Sequence, residues 1–242
     1  MKDLISFNAY EELADYYARF VDTKPFNAYY ERPGTLSLLP DIEGKHVLDA
    51  GCGAGWYTEW FIKQSAAQIT SIDFSPNMVK FTKKRVGDRA EVFQSDLNEP
   101  LDMIDDHSMD LIVSPLTLHY LKNWELPMRE FNRILKDKGR LIFSVHHPFM
   151  DYVEFERDNY FATELLTDEW DTPDGKVEVQ FFRRPLNEIL KPLHLNGFVI
   201  EKLIEPMPTD EFKHAIPDKY EKLTKKPQFL FIRAQKTTDL NK

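Results

Sequence analysis

An α/β fold is predicted for this chain of 242 residues, a doubly wound and mostly parallel sheet of seven strands. Three observations predict it. Short, centrally apolar runs rich in β-formers alternate with amphipathic stretches between residues 45 and 145. A glycine-rich turn follows the first of these runs, and the alternation breaks at about Pro148 before two further strands close the chain. Alternation of this kind gives a parallel sheet with crossover helices, and strands covered on both faces lose the in-out pattern of a half-exposed sheet.

The five strands of the regular part are read at residues 46–50, 68–73, 90–94, 109–114 and 139–146. Between them, residues 55–65 form a helix opening off the glycine turn. Residues 76–86 form another, with Ser75 as N-cap and Pro76 at the first helical position. Residues 125–136 supply the next helix, whose Met128, Phe131 and Leu135 share one stripe, and Gly139 ends it. After Pro148 the stretches 160–170 and 176–183 flank the turn sequence DTPDG, which reads as a hairpin able to act as a lid. A helix from Pro185 to about Asn196 stops at Gly197, although Pro192 argues for a kink or an early end. Residues 198–204 and 228–235 are the closing strands. At the other end, Leu13, Tyr16, Tyr17 and Phe20 have the spacing of a helix over residues 9–20, and a second helix follows from Pro33. The expected organisation is one domain, with a helical cover at 1–44, a ligand-binding core at 45–147, a lid-like insertion at 148–197 and closing strands at 198–242.

Apolar residues make up 42% of the chain, enough for a sizeable core. The N-terminal stretch lacks the apolar run of an export signal and no window approaches a membrane span, so a cytoplasmic protein is expected. The single cysteine, Cys52, excludes an intramolecular disulfide and a cysteine zinc site. A net charge of -9 repels polyanions, so nucleic acid is an unlikely substrate. The basic runs at 80–85 and 222–226 read as solvated faces.

Chemistry concentrates in VLDAGCGAGWYTEW, residues 47–60: an apolar strand, Asp49, then glycines at 51, 53 and 55, then a helix. Glycines let the main chain approach a ligand closely, and the helix presents unpaired N–H groups. A dinucleotide fingerprint, G-x-G-x-x-G, would need glycine or alanine at position 56, which is Trp56. The turn therefore suits a smaller ligand. Asp73 ends the second strand about 20 residues later, where a carboxylate can accept two ribose hydroxyls.

With these features the sequence resembles the class I S-adenosylmethionine-dependent methyltransferases, particularly the small-molecule group that includes the ubiquinone and menaquinone biosynthesis enzymes. The similarity runs from about residue 10 to 197 and is strongest over 47–147. It implies a Rossmann-like sheet and S-adenosylmethionine as cofactor. It further implies that Asp73 and Ser75 mark the ribose end, that Phe74 or Met78 packs on adenine or ribose, and that Asp96 beside Leu97 reads the adenine amino group. Backbone at Ala50 and Gly51, with Ser114, Pro115 and Leu116, receives the methionine ammonium, and Cys52 and Gly53 complete the cofactor-binding turn. Gly55 opens the helix, Asp49 supports the turn, and Tyr57, Tyr17 or Arg32 reaches the methionine carboxylate.

Methyl transfer needs mainly an in-line nucleophile, with a base where that nucleophile carries a proton. His119, His146 and His147 lie at strand ends on the ligand edge, and His119 and His146 are the candidate catalytic residues. No catalytic metal is expected, since adjacent His146 and His147 point to opposite faces. The aromatic residues between 152 and 182 either line an apolar acceptor pocket or form the insertion's own core. SPLT after the fourth strand differs from the motif for amide or adenine methylation, which favours a small-molecule acceptor. The alternatives are an RNA or protein methyltransferase and a noncatalytic cofactor-binding regulator. The oligomeric state is not legible.

Overall fold

A computed structural model describes residues 11, 14, 18–172 and 175–237. Seven strands form its main sheet: β1 (His46–Ala50), β2 (Gln68–Asp73), β3 (Glu91–Gln94), β4 (Met109–Pro115), β5 (Leu135–His146), β8 (Phe198–Ile204) and β9 (Phe229–Lys236). Their spatial order is β3-β2-β1-β4-β5-β9-β8. The first five run parallel, while β9 lies antiparallel between β5 and β8. The order reverses between β1 and β4, and a crevice at the carboxyl ends of the strands follows there.

Strand periodicity sorts the core into two layers. Leu48, Ile112 and Phe143 point to one face, where they meet Phe131 of α4 (Glu125–Ile134) and Leu193 of α6 (Leu186–Leu195). Their neighbours Val47, Leu111 and Ile142 point to the other, against Phe61 of α2 (Trp56–Lys63), Tyr30 and Phe212. Helix α3 (Pro76–Val86) completes this second side beside β3. Helix α1 (Arg32–Leu38) follows directly on a π-helical turn at Asn27–Glu31, so the cover helix begins earlier than Pro33. Its Gly34 allows the close approach to the sheet, because a Cβ there would come 2.6 Å from Phe231. The expected helix over residues 9–20 falls largely outside the described residues.

The start of β5 and three short helices differ from the sequence reading, while α6 reaches the end that was read for it. Helix α4 ends at Ile134, and β5 begins at once with Leu135, which is fully buried and pairs with Met109 across a bulge. Gly139 thus lies within the strand, and Lys138, at φ 61°, folds the chain so tightly that a Cβ on Gly139 would sit 2.9 Å from Lys136 O. Helix α6 runs through Pro192 to Leu195, because buried Ile189 and Leu193 fasten it to the core on either side of the ring. Short helices missed by periodicity are α5 (Pro148–Glu154), α7 (Asp210–Ala215) and α8 (Pro217–Leu223), each too brief to show a repeat.

The insertion is a separate antiparallel pair, β6 (Glu164–Thr172) with β7 (Gly175–Arg183). Arg183 fastens it. Its buried guanidinium donates to the carbonyls of Asn159, Tyr160 and Ala162 and to Glu164. Arg183→Met removes the donor to the Tyr160 and Ala162 carbonyls and to Glu164, leaves Asn159 O only the long bond from Ala162 N, and is expected to cost about 2–4 kcal/mol by thermal or urea unfolding. A loss under 1 kcal/mol would show that the loop finds other partners.

Candidate functional site

The turn after β1 is built by three glycines in the left-handed region, Gly51 (φ 86°), Gly53 (φ 53°) and Gly55 (φ 81°). The N–H groups of Gly51 and Cys52 both donate to Ile72 O, which folds the turn back onto β2. Gly53 N donates to Asp73 Oδ2 at 2.9 Å, and Thr82 Oγ1 donates to Gly53 O at 2.7 Å. Asp73 Oδ1 also accepts from Ser75 N at 3.0 Å. A carboxylate has about four lone-pair sites, so two remain on Asp73 for a ligand. Burial first, with Glu11 adding to it, pushes the Asp73 carboxyl up to about 6 against these backbone donors.

A cleft of about 840 Å³ opens above this turn, within the roughly 300–1,000 Å³ of small-molecule sites. Gly51, Cys52, Gly53, Asp73, Phe74 and Met78 form one part of its wall, with Asp96, Leu97 and Leu116 continuing it. Leu116 is held at φ 47° by Ser144, whose hydroxyl and carbonyl both accept its N–H, an uncommon conformation concentrated at ligand sites. Asp96 Oδ1 accepts from both the Asn98 backbone N–H and the Asn98 side-chain amide at 2.9 Å. His119 and His146 form the farther part of the wall.

Other expected residues stand behind the wall. Asp49 is fully buried and accepts from Thr58 Oγ1 at 2.7 Å, and burial pushes its carboxyl up to about 7. Ser114 Oγ donates to Ala50 O, tying β4 to β1. Gly55 opens α2, since a Cβ would meet Thr82 at 2.9 Å, and Ser75 caps α3 through Met78 N. Tyr57 does line the cleft, but its hydroxyl donates to Glu31 Oε2 at 2.8 Å and so is already committed. Tyr17 lies outside the described residues. His147, as expected, turns away from His146; it caps α5 and meets Glu205 at 2.6 Å. Among the described residues no cluster of three or more His, Cys, Asp or Glu side chains has metal-site geometry.

Sequence reasoning missed Glu31 and Lys24, while Trp170 is among the aromatic residues it offered as pocket lining. Buried Glu31 collects hydroxyls from Thr35, Tyr57 and Ser144, and burial raises its carboxyl above the usual range. Lys24 lies over the Trp170 ring at 4.6 Å, joining the N-terminal cover to the hairpin across the cleft. Neither belongs to a local pattern. Arg32 lines the same wall, stacked 4.2 Å over Trp56 and donating to Val21 O and Asp22 O.

Known proteins share this arrangement. A methyltransferase-domain family profile matches residues 48–143. An uncharacterised protein of Haemophilus influenzae is 27% identical over 228 residues, covering 87% of this chain and 88% of that protein. A phosphoethanolamine N-methyltransferase of Triticum aestivum is 35% identical over 117 residues, but the match spans only 23% of that enzyme's length and 47% of this chain. The solved structure of a proposed S-adenosylmethionine-dependent methyltransferase from Listeria monocytogenes superposes with a TM-score of 0.74 at 26% identity, over 86% of this chain and 96% of that one.

Proposed function

Since this chain is a class I S-adenosylmethionine-dependent methyltransferase with a Rossmann-like sheet, we propose that it methylates a small molecule seated between the glycine turn and the His119–His146 wall. The observation that carries this reading is the two-part cleft: a backbone-lined cradle at Gly51–Gly53 and Asp73 runs without interruption into a chamber lined by the two histidines and the hairpin.

The residues present fit the cofactor. Asp73 keeps lone pairs for two ribose hydroxyls, Phe74 and Met78 offer apolar surface to the adenine, and Asp96 stands at the third strand's end for its amino group. Tyr57 and Arg32 both line the cleft near this end, but the Tyr57 hydroxyl is spent on Glu31 and the Arg32 guanidinium already donates to the Val21 and Asp22 carbonyls. When bound, S-adenosylmethionine supplies an electrophilic methyl on a sulfonium. The chain's own work is to orient the acceptor and exclude water. Residues 45–147 then form the cofactor core, and the hairpin of 148–197 is the lid, contributing Asp168, Glu169, Trp170 and Phe182 to the cleft wall. The net charge of -9 favours a small acceptor over nucleic acid, as does the likeness to an amine methyltransferase. Among the described residues no helix is long and apolar enough to cross a membrane.

The test is a transfer screen with labelled cofactor and separate pools of phenols, amines, thiols, quinones, short RNAs and proteins. Label is expected in a small-molecule pool. Label confined to RNA or protein would replace the acceptor class. Tight binding of S-adenosylhomocysteine with no transfer to any pool would point to a regulator.

A further inference from the structure

The histidine end of the cleft is a polar face whose ring nitrogens lack partners among the described residues. His119 is 3% exposed, and among the described residues neither of its ring nitrogens finds a hydrogen-bond partner. His146 stacks on it with centroids 4.2 Å apart and planes at 25°, and His146 Nδ1 is likewise buried and unsatisfied. Leaving such nitrogens dry costs about 1–3 kcal/mol each, so a ligand group is the natural partner of the His119 ring, while His146 Nδ1 is the nitrogen that faces Asp151. Behind His146 stands Asp151 of α5, buried, its Oδ1 3.8 Å from His146 Nδ1. That gap is too wide for a hydrogen bond, but bonds of this kind are often long in ligand-free sites and tighten when a substrate fills them. His146 and Asp151 together line a recess of about 480 Å³ that adjoins the cleft.

We propose that Asp151 positions His146 as the proton acceptor for an acidic hydroxyl on a flat aromatic or enolic methyl acceptor, a reading that rests on the methyl-transfer assignment above. Asp151 acts through His146 and is a positioning residue, while His146 touches the acceptor.

Electrostatics selects the acceptor class. Burial lowers His146 to about 4 and pushes His119 well below the ordinary histidine value, with His146 and Arg184 adding to the latter. Burial raises the Asp151 carboxyl to about 8. At neutral pH the face is therefore neutral. Neither ring offers an ammonium a counterion, the carboxylates Asp168 and Glu169 belonging to the hairpin side of the cleft, and an ionised carboxylate would meet imidazole lone pairs. A neutral hydroxyl donates to those lone pairs at no charge cost. Aliphatic alcohols hold their proton too tightly for so weak a base, whereas aromatic hydroxyls release theirs near pH 10. The walls are flat rings: Phe181 stands edge-on to His146 at 4.4 Å, and Tyr120 lies 4.4 Å from His119.

In the step, the hydroxyl proton passes to His146 and the oxygen lone pair forms the new O–CH3 bond. The methyl's bond to sulfur breaks and its electron pair stays on sulfur, leaving a neutral thioether. The proton then leaves His146 for water. Ionised Asp151 stabilises the imidazolium, so activity rises with pH as Asp151 loses its proton. Charged groups around Asp151 set that point. Arg183 on β7 pulls it down and Asp168 on β6 pushes it up, while Glu154, paired with Lys222, and Lys226 border the recess.

The probes are 2-naphthol and 4-cresol against benzylamine and benzoate, with labelled cofactor, from pH 5.5 to 9.5. Label is expected in the phenols, with kcat rising up to tenfold per pH unit to a plateau above about 8 for both. Asp151→Asn is expected to lower kcat tenfold or more with KM within threefold and to abolish the rising limb, and Asp151→Glu to restore it. Calorimetry with S-adenosylhomocysteine accompanies every sample. No binding by the wild type sinks the methyl-transfer reading itself. Binding without phenol methylation, transfer to the amine or benzoate alone, or a limb that survives in Asp151→Asn overturns this proposal only. Should Asp151→Asn fail to bind the thioether, the wild-type profile decides, and a flat profile is the refuting result.

Discussion

Asp73→Ala is expected to weaken S-adenosylhomocysteine binding by about a hundredfold. Two hydroxyl bonds to a buried carboxylate contribute on the order of 3 kcal/mol together, and each 1.4 kcal/mol is a factor of ten. The same carboxyl also accepts the N–H groups of Gly53 and Ser75, so its loss loosens the turn that shapes the cradle. The ionised form is the better acceptor. Because burial holds Asp73 near 6, wild-type affinity should climb with pH by up to tenfold per unit below that value and level off above it. In Asp73→Ala that climb disappears. Calorimetry between pH 5 and 7 reads both effects, and an unchanged affinity at pH 7 would remove the ribose assignment.

Gly51→Ala is expected to cost roughly 2–4 kcal/mol and to lower Tm by about 5–15 °C. A left-handed backbone costs a non-glycine residue about 1–2 kcal/mol, and overpacking adds a similar amount. At φ 86° a methyl on Gly51 would overlap the Thr117 hydroxyl and lie 2.8 Å from its Cβ. Gly44→Ala is the control. Its φ is 69°, yet nothing lies within 4 Å of the added carbon, so only the conformational cost of about 1 kcal/mol is expected. Equal losses at both positions would show that the clash with Thr117 is relieved by movement.

The cradle was legible because its parts are local. Glycines at alternate positions, an acid at the next strand's end and a capped helix are patterns within a few residues of each other, and the structure keeps Gly51, Gly53, Asp73, Phe74 and Asp96 on one wall. The far chamber was only half legible. Strand ends marked His119 and His146, but their stacking joins a 3-10 turn after β4 to the last residue of β5, and Asp151 approaches His146 from a seven-residue helix with no periodic signal. Glu31 was invisible for the same reason, since its partner Ser144 is 113 positions away. Tyr57 illustrates the opposite error: its place beside the turn suggested a ligand contact, and tertiary packing gave its hydroxyl to Glu31 instead. The start of β5 was misplaced because Gly139 looks like a boundary, while burial of Leu135 drew the strand four residues earlier.

Strand β9 comes last among the described strands along the chain but sits inside the sheet, between β5 and β8. A nascent chain emerges from its N-terminal end, so the cradle residues are complete while the outer flank of β5 still has no neighbour. Through that interval the seven residues of β5 from Arg140 to His146 offer bare amide and carbonyl groups, a template for pairing with another copy. The ligand turn is thus finished early in synthesis, whereas protection from self-association waits for residue 236.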